Sequence, residues 1–296
     1  MIDKLEMFIS LAREKHFGRA AERLGITQPS LSAGIKQLES QLGVQLVWRG
    51  SRYGGLTPEG QRVLQWARQI VADTRTMREE MRAVRQGLAG ELRLAVIPTA
   101  LTLAADLTAR FTRAHPNVGF TILSRPSTDI LSMIDDLEVD AGLSYLDNEP
   151  LGRVTRLPLY HERYVALCHA DHPLPDSATW ADLADQPLCL LTPDMQNRRI
   201  INQSFQAAGA EPRVMIQANS TIVLVAHVET GDWVTILPAR QAEFLCVGKP
   251  VRSIPLTDLR PAPSVGLIAP WREPHTPVLA ALLAEAASLS GHPAGR

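Results

Sequence analysis

Three cysteines in 296 residues, Cys168, Cys189 and Cys246, are too scattered and too few for a disulfide framework. None stands in a CxxC or Cys/His spacing that would hold zinc, so they read as buried free thiols of a cytoplasmic protein. A surplus of one charge is also missing. Thirty Lys and Arg meet thirty-one Asp and Glu, which excludes a polycation as a whole and leaves room for a local basic patch. No run approaches the roughly 18 uninterrupted apolar residues of a membrane span. The opening MIDKLEMFISLAREKHF is broken by Asp3, Lys4, Glu6 and Arg13 and does not read as a signal peptide. Gly-x-Ser-x-Gly, HExxH, Walker and dinucleotide glycine motifs are absent. The pair His169 and His172 sits in HADHPLP, which reads as a loop and not a metal site. No enzyme, metal or cofactor is therefore expected.

What is present is a globular composition, 45% hydrophobic and 21% charged, long enough for two or three domains. Residues 1–58 show three short helical patterns. The first has Leu5, Phe8, Ile9 and Ala12 on one face, the second is GRAAERL closed by Gly25, and the third is QPSLSAGIKQLESQL closed by Gly43. Thr27 is the expected N-cap of the third, and Pro29 is tolerated in its first turn. Its apolar stripe is Leu31, Ile35, Leu38 and Leu42. The opposite face carries Gln28, Ser32, Ala33 and Lys36, small and mostly uncharged, where a solvated helix would carry ion pairs. Two helices joined by a Gly-containing turn are the helix-turn-helix pattern. A neutral polar face suits base edges, with Gln pairing adenine and Ala touching a thymine methyl. Arg49 and Arg52 follow in a Gly-rich hairpin, a basic wing for phosphates. Eight Lys/Arg against five Asp/Glu over 1–58 make this stretch modestly basic. The expected DNA contacts are Gln28, Pro29, Ser30, Ser32, Ala33, Lys36, Arg49 and Arg52.

Residues 59–90 are expected to form one long helix, capped by Thr57, opened by Pro58 and ended by Gly87 and Gly90. Val63, Ala67, Ile70, Thr74, Met77, Met81, Val84 and Leu88 recur at alternating spacings of four and three. That heptad seam predicts helix–helix association, over a rod of roughly 45 Å at 1.5 Å per residue. Val63, Ala67, Ile70, Met77, Met81 and Val84 are the expected dimerisation residues. A second copy would present two wings and two recognition helices to an inverted-repeat site in double-stranded DNA.

From residue 91 strand-like and helical runs alternate, beginning ELRLAVI and ending SVGLIA before a last helix from about Thr276 to Leu289. This is α/β architecture in two subdomains, about 91–162 with 268–296, and about 163–267. Ligands in such sheets bind beyond the carboxyl ends of strands. Thr99, Ala100, Ser127, Thr128, Met195 and Asn219 fall there and at helix starts, where free amides favour a small anionic effector such as a carboxylate.

The stretches HFGRAAERLGITQPSLSAGIKQLESQLGVQLVWR and LTPEG, in that order, resemble the winged helix-turn-helix of LysR-type transcriptional regulators. LRLAVIP and VETGDWVTILP resemble the family's later segments, so the resemblance covers nearly the whole chain. It implies an N-terminal all-α winged helix-turn-helix, a linker helix paired antiparallel with its copy, and a periplasmic-binding-protein-like α/β domain. It also implies a dimer of dimers and an effector in the cleft, with RNA polymerase as a further partner. Two residues depart from the family pattern. Ala33 stands where many relatives carry Arg, and Trp233 replaces the second Gly of Gly-x-Gly-Val-x-x-Leu-Pro. A regulator without a ligand and a small-molecule transport protein are the alternatives.

Overall fold

The computed structural model describes residues 1–48, 53–147, 151–257, 261–271 and 273–290. Arg49 and Arg52 of the expected wing lie outside them. The chain divides into two compact units: residues 1–88 with the short segments 135–138 and 273–277, and the remainder from Ala89. Among the described residues no helix is long and apolar enough to cross a membrane.

The first unit is helical. α1 (Ile2–Glu14), α2 (Phe17–Arg23) and α3 (Gln28–Leu42) pack around Leu5, Phe8, Leu11, Leu31, Ile35 and Leu38. The Thr27 hydroxyl accepts from Ser30 N at 3.3 Å and Gly43 closes α3 at φ 70°, so both ends of α3 are set by its own sequence. Two close approaches explain glycines in the motif. A Cβ on Gly34 would meet Met7 Sδ at 2.4 Å, and one on Gly60 would meet the Leu46 carbonyl oxygen at 2.1 Å. Val47 bridges Leu56 antiparallel, the base of the expected wing. α4 (Pro58–Gln86) starts at Thr57, whose hydroxyl accepts from Gly60 N at 2.9 Å and donates to Gln45 O at 2.6 Å.

The second unit is α/β. β1 (Gly90–Val96), α5 (Leu101–Ala114), β2 (Val118–Ser124), α6 (Ser127–Asp135), β3 (Ala141–Tyr145) and β4 (Val154–His161) come first. β5 (Tyr164–His169), α7 (Trp180–Ala184), β6 (Leu188–Leu191), α8 (Gln196–Ala207), β7 (Val214–Ala218) and α9 (Thr221–Val228) follow. β8 (Thr235–Pro238), α10 (Ala239–Leu245), β9 (Val251–Pro255), β10 (Ser264–Pro270) and α11 (Pro277–Ser290) complete the chain. One sheet has the order β2-β1-β3-β10-β4, with β1 parallel to β2 and β3 and β10 antiparallel to its neighbours. The other half holds β8-β5-β9 and the parallel pair β6-β7. The chain crosses between halves twice, from β4 to β5 and back from β9 to β10. The second crossing comes earlier than expected, because residue 268 lies inside β10 and the whole of that strand pairs with β3 and β4.

Candidate DNA interface and effector cleft

On α3 the buried residues are Leu31, Gly34, Ile35 and Leu38. Gln28, Pro29, Ser30, Ala33 and Lys36 are exposed and Ser32 is half-buried. Ser30 is partly occupied as a cap, its hydroxyl 2.8 Å from that of Thr27. Leu42 departs from the expected stripe. It is 40% exposed, because the last turn of α3 runs past the core that α1 and α2 supply.

The seam of α4 divides. Ala67 is fully buried in the helix-turn-helix core and is withdrawn as a dimerisation residue, whereas Val63 packs against the same core while remaining half-buried. Ile70, Met77, Met81 and Val84 are 41%, 57%, 57% and 81% exposed. Trp66, which lies outside the heptad seam, joins them at 64%. Together they form an apolar row along one side of α4.

In the second unit Thr99 follows β1 in a short 3-10 turn, Ser127 opens α6 and Met195 precedes α8. Thr99, Ser127 and Met195 meet in one small inner pocket, together with Tyr145, Gln196 and Asn197. A wider groove of about 520 Å³ continues from it past Pro98, Met195, Arg125 and Asn219. The remaining two expected residues are not brought in. Ala100 is fully buried behind the turn. Thr128 lies exposed on α6 with its hydroxyl 3.5 Å from Asp129 Oδ1, since only the first residue of that helix turns toward the pocket. Bonds span the two halves: Gln241 Nε2 donates to Pro98 O at 2.9 Å, Arg199 Nη2 to Ser127 Oγ at 3.5 Å, and Arg240 pairs with Asp106.

Beneath the pocket, where β4 passes to β5, lies a feature that was not expected. Glu162 is 1% exposed and accepts from the hydroxyls of Tyr145 (2.5 Å), Tyr164 (2.8 Å) and Tyr160 (3.1 Å). Burial raises its carboxyl to about 7, although the three donors work the other way by favouring the ionised form. The three hydroxyls are held well above the usual tyrosine range, first by their own burial and then by the charge they surround. In the sequence Glu162 is one polar letter at a strand boundary; only the gathering of tyrosines two residues to either side hints at its burial.

Tyr145 and Asn197 stand at strand-end and helix-start positions of the type singled out, but outside the six expected residues. Gln196 stands in the same helix-start stretch. Trp233 packs against the core under β8 and edge-on to His227, with ring centroids 6.2 Å apart, so it serves packing. All three cysteines have thiols raised by burial, Cys189 to about 12, which makes them poor nucleophiles.

A helix-turn-helix with an exposed recognition face, joined to a two-lobed α/β domain with a polar cleft, defines a DNA-binding regulator with a ligand domain. The bacterial regulatory helix-turn-helix model of the lysR family matches residues 2–61, and the LysR substrate binding domain model matches 85–289. The chain belongs to the LysR family of transcriptional regulators. It is 29% identical over 243 residues to the HTH-type transcriptional regulator XapR of Escherichia coli (strain K12), covering 81% of this chain and 83% of XapR. A full-length OxyR variant from Pseudomonas aeruginosa superposes with a TM-score of 0.74 at 25% identity, over 98% of this chain and 96% of that one. Full-length CbnR, solved with its target DNA, gives 0.63 at 21% identity, over 98% and 99%. These relatives are regulators and not enzymes, and they leave the transport-protein alternative without support.

Proposed function

We propose that the protein binds an inverted-repeat operator through α3, as a dimer or dimer of dimers, and that a small anionic metabolite in the cleft controls how it sits there. The observation that carries this reading is the division of α3: its apolar residues are spent on the core, and Gln28, Ser32, Ala33 and Lys36 are left as a low-charge polar face. Such a face approaches base edges in a major groove, where a row of carboxylates would be repelled. Arg49 and Arg52 are assigned to phosphates. The row Ile70, Met77, Met81 and Val84 is assigned to pairing with a second copy, and RNA polymerase is the further partner in the cytoplasm.

For the effector, support comes from the groove. It is bordered by Arg125 and by Asn219, Ser220 and Thr221 at the start of α9, where unpaired amides and the helix dipole favour negative charge. Footprinting on the promoter-proximal DNA, repeated with small carboxylates and inorganic anions and paired with calorimetry, tests the proposal. A symmetric footprint whose extent changes with a bound anion is expected. A footprint indifferent to every ligand that binds would return the ligand-free alternative.

A further inference from the structure

Asn197 holds an amide with no partner. It lies in the first turn of α8, is 3% exposed, and neither its Oδ1 nor its Nδ2 makes a hydrogen bond. Exchanging the two atoms by an amide flip changes nothing, since both are orphaned. Its neighbour Gln196 is equally buried but satisfied, its Oε1 accepting from Arg199 Nε at 2.8 Å and Nη2 at 2.6 Å. Buried polar atoms in native proteins are paired in the great majority of cases, so a doubly orphaned amide lining a pocket calls for something that enters it.

We infer that the inner pocket seats a group of the effector that both donates and accepts a hydrogen bond, a hydroxyl or carboxamide, and that Asn197 selects for it. This rests on the effector reading above and specifies its chemistry. A carboxylate only accepts; it could satisfy Nδ2 but would set its charge against Oδ1. The other groups agree. Tyr145 gives its proton to Glu162, so across the 3.3 Å contact with Tyr145 it is Thr99 that donates, leaving the Thr99 lone pairs for the pocket. The inner end therefore offers acceptors from Thr99 and Asn197, the two N–H donors of the Asn197 amide and the Ser127 hydroxyl, with the Glu162 carboxyl behind Tyr145. That set suits a group able to donate as well as accept, which a carboxylate is not. Size agrees as well. The pocket holds about 10 Å³ of free space, enough for one water-sized group. The groove beyond, sharing Pro98 and Met195 with it, takes the body of the molecule and its charge beside Arg125. The effector class is a hydroxylated or amidated small acid.

The test is calorimetry on the full-length protein with matched acids differing by one hydroxyl: propionate and lactate, succinate and malate, benzoate and 4-hydroxybenzoate. In at least one pair the hydroxylated member should bind about ten-fold tighter or more. Asn197→Leu, close in size, should erase the difference between the two members of the pair, and should melt at or above the wild-type temperature because an orphaned amide is gone. Binding without discrimination, or discrimination that survives in the Leu variant, overturns this inference and leaves the effector reading standing. A Leu variant melting well below wild type also overturns it, since the amide would then be satisfied within the protein. No binding by any of the six removes both this inference and the small anionic effector.

Discussion

Glu162 is the residue whose environment most alters its chemistry. With its carboxyl raised from an ordinary value near 4.5 to about 7, the folded chain holds that proton more tightly than the unfolded chain. Stability from this group is therefore fully present below about pH 4.5 and is lost as pH rises through about 7. The size of the effect is of order 3 kcal/mol at 1.36 kcal/mol per unit. Tyr145, Tyr160 and Tyr164 face the carboxylate, the Arg240 charge acts on Tyr160, and these three hydroxyls keep their protons throughout this window. Urea unfolding midpoints measured from pH 4.5 to 8 should fall with pH in the wild type and be flatter in Glu162→Gln, which keeps an acceptor oxygen but cannot ionise. Parallel pH profiles for the two proteins would show that the carboxyl titrates normally. At Gln28, which is exposed on α3, truncation should leave folding unchanged. Gln28→Ala is expected to cost about 1–3 kcal/mol at one base position of each half-site and nothing on random DNA. Equal losses on both would remove base reading from that residue.

Among the elements, α4 makes the clearest commitment. Its first turns bury Ala67 in the helix-turn-helix core, and its later turns leave Ile70, Met77, Met81 and Val84 bare. A charge placed in that row would be buried unpaired when two helices pair. Ile70→Glu is expected to shift the mass seen by light scattering to monomer, with near-native helix content by circular dichroism. An oligomer of unchanged mass would place the main interface elsewhere. Elements of this kind were legible in the sequence because a long amphipathic helix repeats its signal, and caps such as Thr27 and Thr57 mark where it starts. Four elements were not read: β4, α7, α10 and β9. α7 and α10 have five and seven residues, too short for a period to declare itself. β4 and β9 lie at sheet edges, where only part of one face is buried and Arg156 or Arg252 interrupts the pattern. The cleft was half legible for a related reason. Thr99, Ser127, Met195 and the stretch that holds Asn197 follow from where strands end and helices start, whereas the orphaned state of the Asn197 amide has no sequence signal and Glu162 has only the tyrosines gathered around it.

At the scale of the molecule, function requires that a ligand in one unit be felt in DNA affinity exerted by the other. Linkage makes that demand quantitative: the factor by which effector changes operator affinity equals the factor by which operator changes effector affinity. A ligand that binds two states equally shifts nothing, so the cleft must favour one arrangement of its halves. Thr99 lies at the point where this begins, 3% exposed and joined through Tyr145 to Glu162 at the crossing from β4 to β5. Thr99→Val keeps the shape and removes the hydroxyl. Operator binding without effector should remain within about two-fold of wild type, since a shape-preserving change within the other compact unit leaves the residues of α3 as they are. The effector-induced change in the footprint should disappear, and the operator should no longer alter effector affinity in calorimetry. Thr128→Val serves as the internal comparison: its side chain lines neither the pocket nor the groove, so that variant should respond as wild type does. If Thr99→Val responds normally and Thr128→Val does not, the ligand contacts the exposed side of α6 and the pocket assignment fails. If both respond normally to an effector shown to bind, the ligand site lies outside this cleft.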